Sequence, residues 1–227
     1  MPLNLSTNDG EFTPYLKYNA KAGRFYVRPQ GATQDVEVAN PRLAVDMAHI
    51  KTGWIFYPEG GAPEKVWDAS PDKAAPRPAG PKKFKRGFEA LVFGGDNIPG
   101  VGKLGLREFG STASCVIAAI LKMHAAYEAG AAVNPGKVPF YACKSVIPIQ
   151  GAYGTNYEPD FALTGWVERA KIPEFDEYMA NTGGDAREAD PFGAAPPPAS
   201  EADYGQRGGG RSADDLDDTI PFSPCKD

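Results

Sequence analysis

Between positions 24 and 28 the chain reads Arg-Phe-Tyr-Val-Arg. In a strand, that alternation places Arg24, Tyr26 and Arg28 on one face and Phe25 and Val27 on the other. One face suits a core; the opposite face is cationic and aromatic. Upstream, residues 12–18 form a second extended run, and residues 19–23 have the composition of a hairpin turn. Tyr15, Lys17 and Tyr18 are then expected beside the Arg24 face. Guanidinium and ammonium groups pair with phosphates, and tyrosine rings offer stacking surfaces worth ~1–3 kcal/mol per base. A flexible single strand of nucleic acid requires that mixture. Strand aromatics also pack into cores or across strand pairs, so each tyrosine has a structural alternative.

A second set of candidates lies further on. The run Trp54-Ile-Phe-Tyr57 follows Gly53 and stops at Pro58. It reads as a strand with Trp54 and Phe56 facing opposite to Ile55 and Tyr57, so at least one aromatic is exposed. Residues 62–87 carry prolines at 63, 71, 76, 78 and 81 and no sustained hydrophobic period, and read as a loop insertion with a basic end. There Lys82, Lys83, Lys85 and Arg86 surround Phe84 in the densest positive cluster of the chain. A phosphate-contacting loop is the functional reading, and a solvated charge run entering a strand is the structural one.

The elements that must position these groups are partly legible. Residues 88–93 continue as a strand, and residues 94–105 read as a glycine-rich loop. That loop is no nucleotide cradle: Asn97 stands where Gly102-Lys103 would require the first glycine, and Leu104 replaces the magnesium-binding hydroxyl residue. Residues 111–130 give the clearest helix, with Ser111 or Thr112 as N-cap, its end at Gly130, and Cys115, Ile117, Ala118, Leu121 and Ala125 on a buried face. His124 has only Glu128 at metal-ligand spacing and reads as a surface or rim residue. Strands at 138–147 and 160–167 flank a turn at 151–154, and Lys144, Tyr153, Tyr157 and Trp166 are candidate additions to a binding face.

Charge divides the chain into two parts. Residues 1–175 hold 20 Lys+Arg and 17 Asp+Glu, whereas residues 176–227 hold 4 and 12, so a slightly basic body precedes an acidic tail. The tail has no apolar periodicity, is crowded with Gly, Pro and charge, and reads as disordered. Near its end, Asp214, Asp215, Asp217 and Asp218 precede Ile220, Pro221 and Phe222. Aspartates steer toward a basic rim, and Phe222 with Ile220 fills an apolar pocket, which is the layout of a partner-binding peptide. The alternative, a merely solubilising tail, explains the charge and not the Ile-Pro-Phe.

The three cysteines, at 115, 143 and 225, form no C-x-x-C pair, and two histidines are too few for a structural zinc site. Reduced thiols, a cytoplasmic location, and no metal or cofactor are expected. No stretch approaches the ~20 apolar residues of a membrane span, and the N-terminal residues lack the basic and apolar regions of a secretory signal.

The string DDLDDTIPF resembles the acidic tip of bacterial single-stranded DNA-binding proteins, where a Gly/Pro/Gln-rich linker leads to aspartates and a final Ile-Pro-Phe. Here Ser223 and four more residues follow the Phe. A longer body with a Pro-rich insertion and an acidic, aromatic-bearing tail is similar in plan to the bacteriophage members of that group. The resemblance implies an OB-fold and sequence-independent binding of single-stranded DNA in replication, recombination or repair. It also implies replication or recombination proteins recruited through the tail, the cytoplasm of an infected bacterium as location, and room for a homo-oligomer.

The fold expected is mainly β. It is an OB-fold-like β-barrel over residues 1–175 with one packing helix and loop insertions, followed by a disordered acidic tail over 176–227; a β-sandwich is the alternative. Two other functional classes stand beside the non-enzymatic DNA-binding reading. One is an adaptor that binds only protein through the tail. The other is a small magnesium-dependent nucleic-acid hydrolase using carboxylates such as Glu89, Asp96 and Glu108, which show no metal motif.

Overall fold

The computed structural model describes residues 14–29, 31–58, 62–70, 73–151 and 154–181. The alternation between 15 and 27 becomes an antiparallel hairpin of β1 (Tyr15–Asn19) and β2 (Arg24–Val27), with Leu16 opposite Val27, Lys17 opposite Tyr26 and Tyr18 opposite Phe25. Its turn is set by Asn19, whose Oδ1 accepts from the amides of Lys21 and Ala22 at 3.0 and 3.1 Å, and by Gly23 at φ 67°.

The chain continues through β3 (Val36–Val38), β4 (Arg42–Val45), β5 (Lys51–Phe56), β6 (Glu64–Trp67), β7 (Lys85–Ile98) and β8 (Gly102–Ser111). Helix α1 (Ser114–Ala131), β9 (Lys137–Gly151), β10 (Gly154–Glu168) and helix α2 (Pro173–Asn181) complete it. The strands join one sheet in the order β10-β9-β4-β7-β8-β1-β2-β3, with β5 on β7 and β6 on β5. Among the described residues every strand pairing is antiparallel except β1 on β8.

The protein is therefore mainly β, with the sheet curled into a half-barrel. β10 and β3 end the path without pairing with each other. The principal helix follows eight strands instead of the three of an OB-fold, and a second helix, α2, is present.

α1 lies on the concave side. Phe25, Phe88 and Phe109 of the sheet meet Cys115, Val116, Ile120 and Met123 there in the main core. The buried Tyr141 hydroxyl donates to the Met123 carbonyl at 2.6 Å, tying β9 to the helix. On the convex side, Ile172 and Phe175 cover Leu91, Ala44 and Val138 in a second cluster. α2 is recruited by that apolar patch, and the boundary expected at residue 175 falls inside it. By contact density the chain divides into Met1–Asp185 and Ala186–Asp227.

The loops and the helix differ from expectation in five respects. Residues 62–87 are not wholly a loop, since β6 lies within them and β7 begins at Lys85. The glycine-rich 94–105 segment is the tip of the β7–β8 hairpin, where the Leu104 side chain fills the space that a Cβ on Gly94 would need. The buried face of α1 is Cys115, Val116, Ala119, Ile120 and Met123, while Leu121 is 63% exposed. The helix begins at Ser114, and Ser111 caps only indirectly, its Oγ accepting from the Ala113 amide. At its other end Gly130 is not a stop; it admits the Trp166 ring, whose Cζ2 lies 2.5 Å from a hypothetical Cβ. Ile120→Ala is accordingly expected to cost about 2–4 kcal/mol in urea unfolding, and Leu121→Ala less than about 0.5 kcal/mol. The reverse ranking would contradict this helix register.

Candidate nucleic-acid interface

Because side chains alternate along a strand, the register of the sheet sorts the predicted site residues without further assumption. Tyr15 and Lys17 of β1 share the convex face with Arg24 and Tyr26 of β2, and Arg28 follows directly. Tyr18 does not join them. It points with Leu16 to the core side, its ring 4.6 Å from that of Phe25 and its hydroxyl donating to the Tyr157 carbonyl at 2.9 Å. Where β1 leaves β8 after Leu16, a groove of about 570 Å³ opens, lined by Lys17, Tyr18, Lys21, Tyr26 and Asp35 among others.

The cations of this face are matched by carboxylates from β3 and the loop before it. Arg28 Nε donates to Asp35 Oδ1 at 2.7 Å, Lys17 reaches Asp35 Oδ2 at 3.2 Å, and Arg24 reaches Glu37 at 2.7 Å. Burial would raise the Asp35 carboxyl, but hydrogen bonds from Arg28 and Lys17 hold it below its ordinary value. Three cations against two carboxylates leave one net positive charge. All three cationic side chains remain about half exposed, and pairs of that kind contribute ~0–1 kcal/mol. A phosphate can therefore replace a carboxylate at little cost.

Next along the convex face, Lys65 lies 6.0 Å from the ring centre of Tyr15 and 5.6 Å from that of Trp67. It is paired with Glu89 and stands 3.9 Å from Glu108. Tyr178 of α2 donates to Glu108 at 2.7 Å. Burial, then the neighbouring Glu108, pushes the Tyr15 phenol well up, and burial raises both Glu89 and Tyr57. Tyr57 is 54% exposed and forms the outer edge of this cluster. Asp96 is elsewhere, held by Arg42. Of the three carboxylates of the hydrolase reading, Glu89 and Glu108 thus share Lys65 while Asp96 is held apart by Arg42, and among the described residues no three metal-ligating side chains converge.

Trp54 faces the other way. Two guanidiniums sit over its ring, Arg86 at 5.4 Å and Arg77 at 5.7 Å, and its Nε1 donates to the Ala75 carbonyl at 2.9 Å. Asp68 organises the group: it accepts two bonds from Arg86 at 2.5 and 2.7 Å, one from Thr52 Oγ1 and one from the Ala75 amide. The proline-rich segment is thereby strapped onto β5. At this corner Phe84 packs on Phe56 at 5.6 Å, and Lys82 pairs with Glu64 at 2.7 Å. Lys83 and Lys85 are exposed and, among the described residues, form no ion pair. Five cations (Arg77, Lys82, Lys83, Lys85, Arg86) gather at this end of β7 against two carboxylates, with Lys85 on the Glu89 face of the strand and Arg86 on the Trp54 face.

Paired hydrogen bonds from Arg86 hold the Asp68 carboxyl far below the usual carboxylate range, helped by Thr52 and the Ala75 amide against an opposing effect of burial. A carboxyl depressed on folding adds stability that is complete above its unfolded pKa, about 3.9, and fades as pH falls toward the folded value. Urea midpoints of wild type and Asp68→Asn should differ most near neutrality and converge in strong acid. A difference independent of pH would contradict this role.

The sequence reading omitted Lys65, Trp67, Arg77 and the carboxylates Asp35, Glu37 and Asp68. The alternation Glu-Lys-Val-Trp at 64–67 was the available signal for the first two. Of the added candidates, Tyr157 packs beside Gly23 and Trp166 beside Tyr127, and Lys144 is exposed on β9. Tyr153, Asp214, Asp215, Asp217, Asp218, Ile220, Pro221 and Phe222 lie outside the described residues. No described helix is long and apolar enough to cross a membrane. The chain matches no family model, no curated protein sequence and no solved structure.

Proposed function

We propose that this protein binds single-stranded DNA without sequence preference, has no enzymatic activity of its own, and recruits replication or recombination proteins through its acidic tail. The observation that carries the reading is the basic corner around Lys83 and Lys85, set beside a convex face that alternates tyrosines with guanidinium and ammonium groups. Phosphates supply most of the affinity for such a surface, and stacking on sequence-indifferent rings supplies the rest. The order of charge and apolar residues in 214–222 supports the recruiting role. On this reading the protein acts in phage DNA replication, recombination or repair, in the cytoplasm of an infected bacterium.

Photocrosslinking to 5-bromouracil-substituted oligonucleotide tests the placement of the strand. Adducts are expected at Tyr26, Tyr15 or Tyr57. Adducts confined to remote residues such as Tyr127, or none despite binding, would contradict the proposed surface.

The carboxylates that match the hairpin cations favour a second reading, an adaptor that binds only proteins. It predicts no retention of single-stranded DNA and indifference to Tyr26→Ala and Arg28→Ala, with tail-dependent capture of a replication protein as its sole activity.

A further inference from the structure

Away from the strands just described, a cavity of about 280 Å³ opens between the residues after β4, the turn from α1 to β9, and the start of the segment leading into α2. Its size lies just below the ~300–1,000 Å³ range of small-molecule sites, which combine apolar walls with a few placed polar groups. The polar groups here are fixed in a defined way. Asp46, 1% exposed, accepts from Arg169 Nη2 at 3.0 Å and is ion-paired with Nη1 at 2.9 Å, and its two oxygens lie 2.9 and 3.0 Å from His49 Nδ1. A carboxylate only accepts, so Nδ1 carries a proton, and in the neutral form of the ring Nε2 is then the acceptor. Asn134 behaves alike: its Nδ2 donates to the Gly130 carbonyl at 3.0 Å, leaving Oδ1 to accept.

Two cations touch the cavity, and they differ. Arg169 also donates from Nε to Asp176 at 2.8 Å, so two carboxylates already match its charge. Lys137 has no ion pair among the described residues. One available ammonium beside two acceptors is a poor phosphate site, because a phosphate oxygen facing either acceptor would be repelled. The same set is complementary to a flat ring that offers both N–H donors and a carbonyl or ring-nitrogen acceptor. Tyr127 and the exposed Ala48 are among the residues that line the cavity.

We propose that this cavity takes a nucleobase, with His49 Nε2 and Asn134 Oδ1 accepting from its N–H groups, Lys137 donating to its carbonyl, and Tyr127 against its face. The base comes either from a nucleotide turned out of a bound strand, which rests on the DNA-binding reading, or from a free nucleotide, which does not. In both cases the recognised chemistry is the base edge.

The test uses the full-length protein, titrated separately with the four deoxynucleosides and with oligo-dT, while NMR follows the His49 imidazole and Tyr127 ring signals. Saturable shifts of both with at least one nucleoside are expected. Ala48→Trp, which adds bulk to the lining from an exposed position, should weaken nucleoside binding about tenfold or more, and His49→Ala should do the same through loss of one hydrogen bond. Lys103→Ala, on the distant β7–β8 hairpin, should change nothing. Unmoved His49 and Tyr127 signals with all four nucleosides and with oligo-dT would overturn the proposal, as would nucleoside affinity unaltered by Ala48→Trp. Nucleoside shifts without oligo-dT binding would keep the cavity as a free-nucleotide site and remove the DNA-binding reading. Oligo-dT binding with the cavity silent would do the reverse.

Discussion

Replacing Lys83 and Lys85 together by glutamate is expected to weaken oligo-dT binding by roughly 100-fold or more at low salt. A charge-assisted hydrogen bond contributes ~1.5–3 kcal/mol, and each ~1.4 kcal/mol is tenfold in affinity. These two lysines should matter more than Lys17, Arg24 or Arg28, since the latter give up carboxylate partners to meet a phosphate. The slope of log affinity against log salt should fall by about 1.4, which is ~0.7 per lost contact for a single strand. Both side chains are exposed and unpaired in the described structure, so unfolding midpoints should not move. Anisotropy titrations across a salt series measure both quantities, and an unchanged slope would remove the basic corner from the interface.

The largest stability effect is expected at Asp46. Its carboxylate is buried and holds His49 and Arg169 together, which ties the segment after β4 to the segment that leads into α2. Asp46→Ala leaves the Arg169 guanidinium with only the exposed Asp176, over the ring of Phe175. Breaking a buried pair from one side costs about 3–5 kcal/mol. With a urea m-value of ~2 kcal/mol/M, the midpoint should drop by about 1.5–2.5 M. Tyr178 and Met179, which pack at the same cluster as Phe175, should lose protection first in hydrogen exchange. A midpoint shift below about 0.5 M would mean that the α2 cluster holds without this bridge.

What the sequence made legible follows from how local each signal is. Residues 15–28 alternate cleanly and share a turn with Asn19 and Gly23, so hairpin, faces and turn could all be read. Tyr18 was misplaced only because its aromatic type outweighed its parity with Leu16; the partner for its hydroxyl lies 139 residues away. The α1 face was displaced because the helix is rich in alanine and apolar on several sides, and the sheet beneath it decides which side is buried. The glycines of 94–105 look like a loop until the β7–β8 register is known, since nothing local marks a glycine whose space is taken by Leu104.

The site divides along the same line. Exposed cations and aromatics were found by type and spacing, but their partners were not. Arg24 meets Glu37 and Lys17 meets Asp35 because β3 folds onto β2, and Arg86 meets Asp68 because β6 folds onto β5. Trp54, read as a stacking surface, carries two guanidiniums over its ring, one of them from a strap 23 positions downstream. Such pairings depend on sheet order, which composition does not encode.

Affinity for a single strand is measured most directly by fluorescence anisotropy of labelled oligo-dT and of a matched duplex with the full-length protein, from low to physiological salt. Tight binding to oligo-dT that weakens steeply with salt is expected, with much weaker binding to the duplex. Absence of oligo-dT binding even at the lowest salt would contradict the DNA-binding reading, and would leave the acidic tail, with its Ile-Pro-Phe, as the part of the chain that meets a partner.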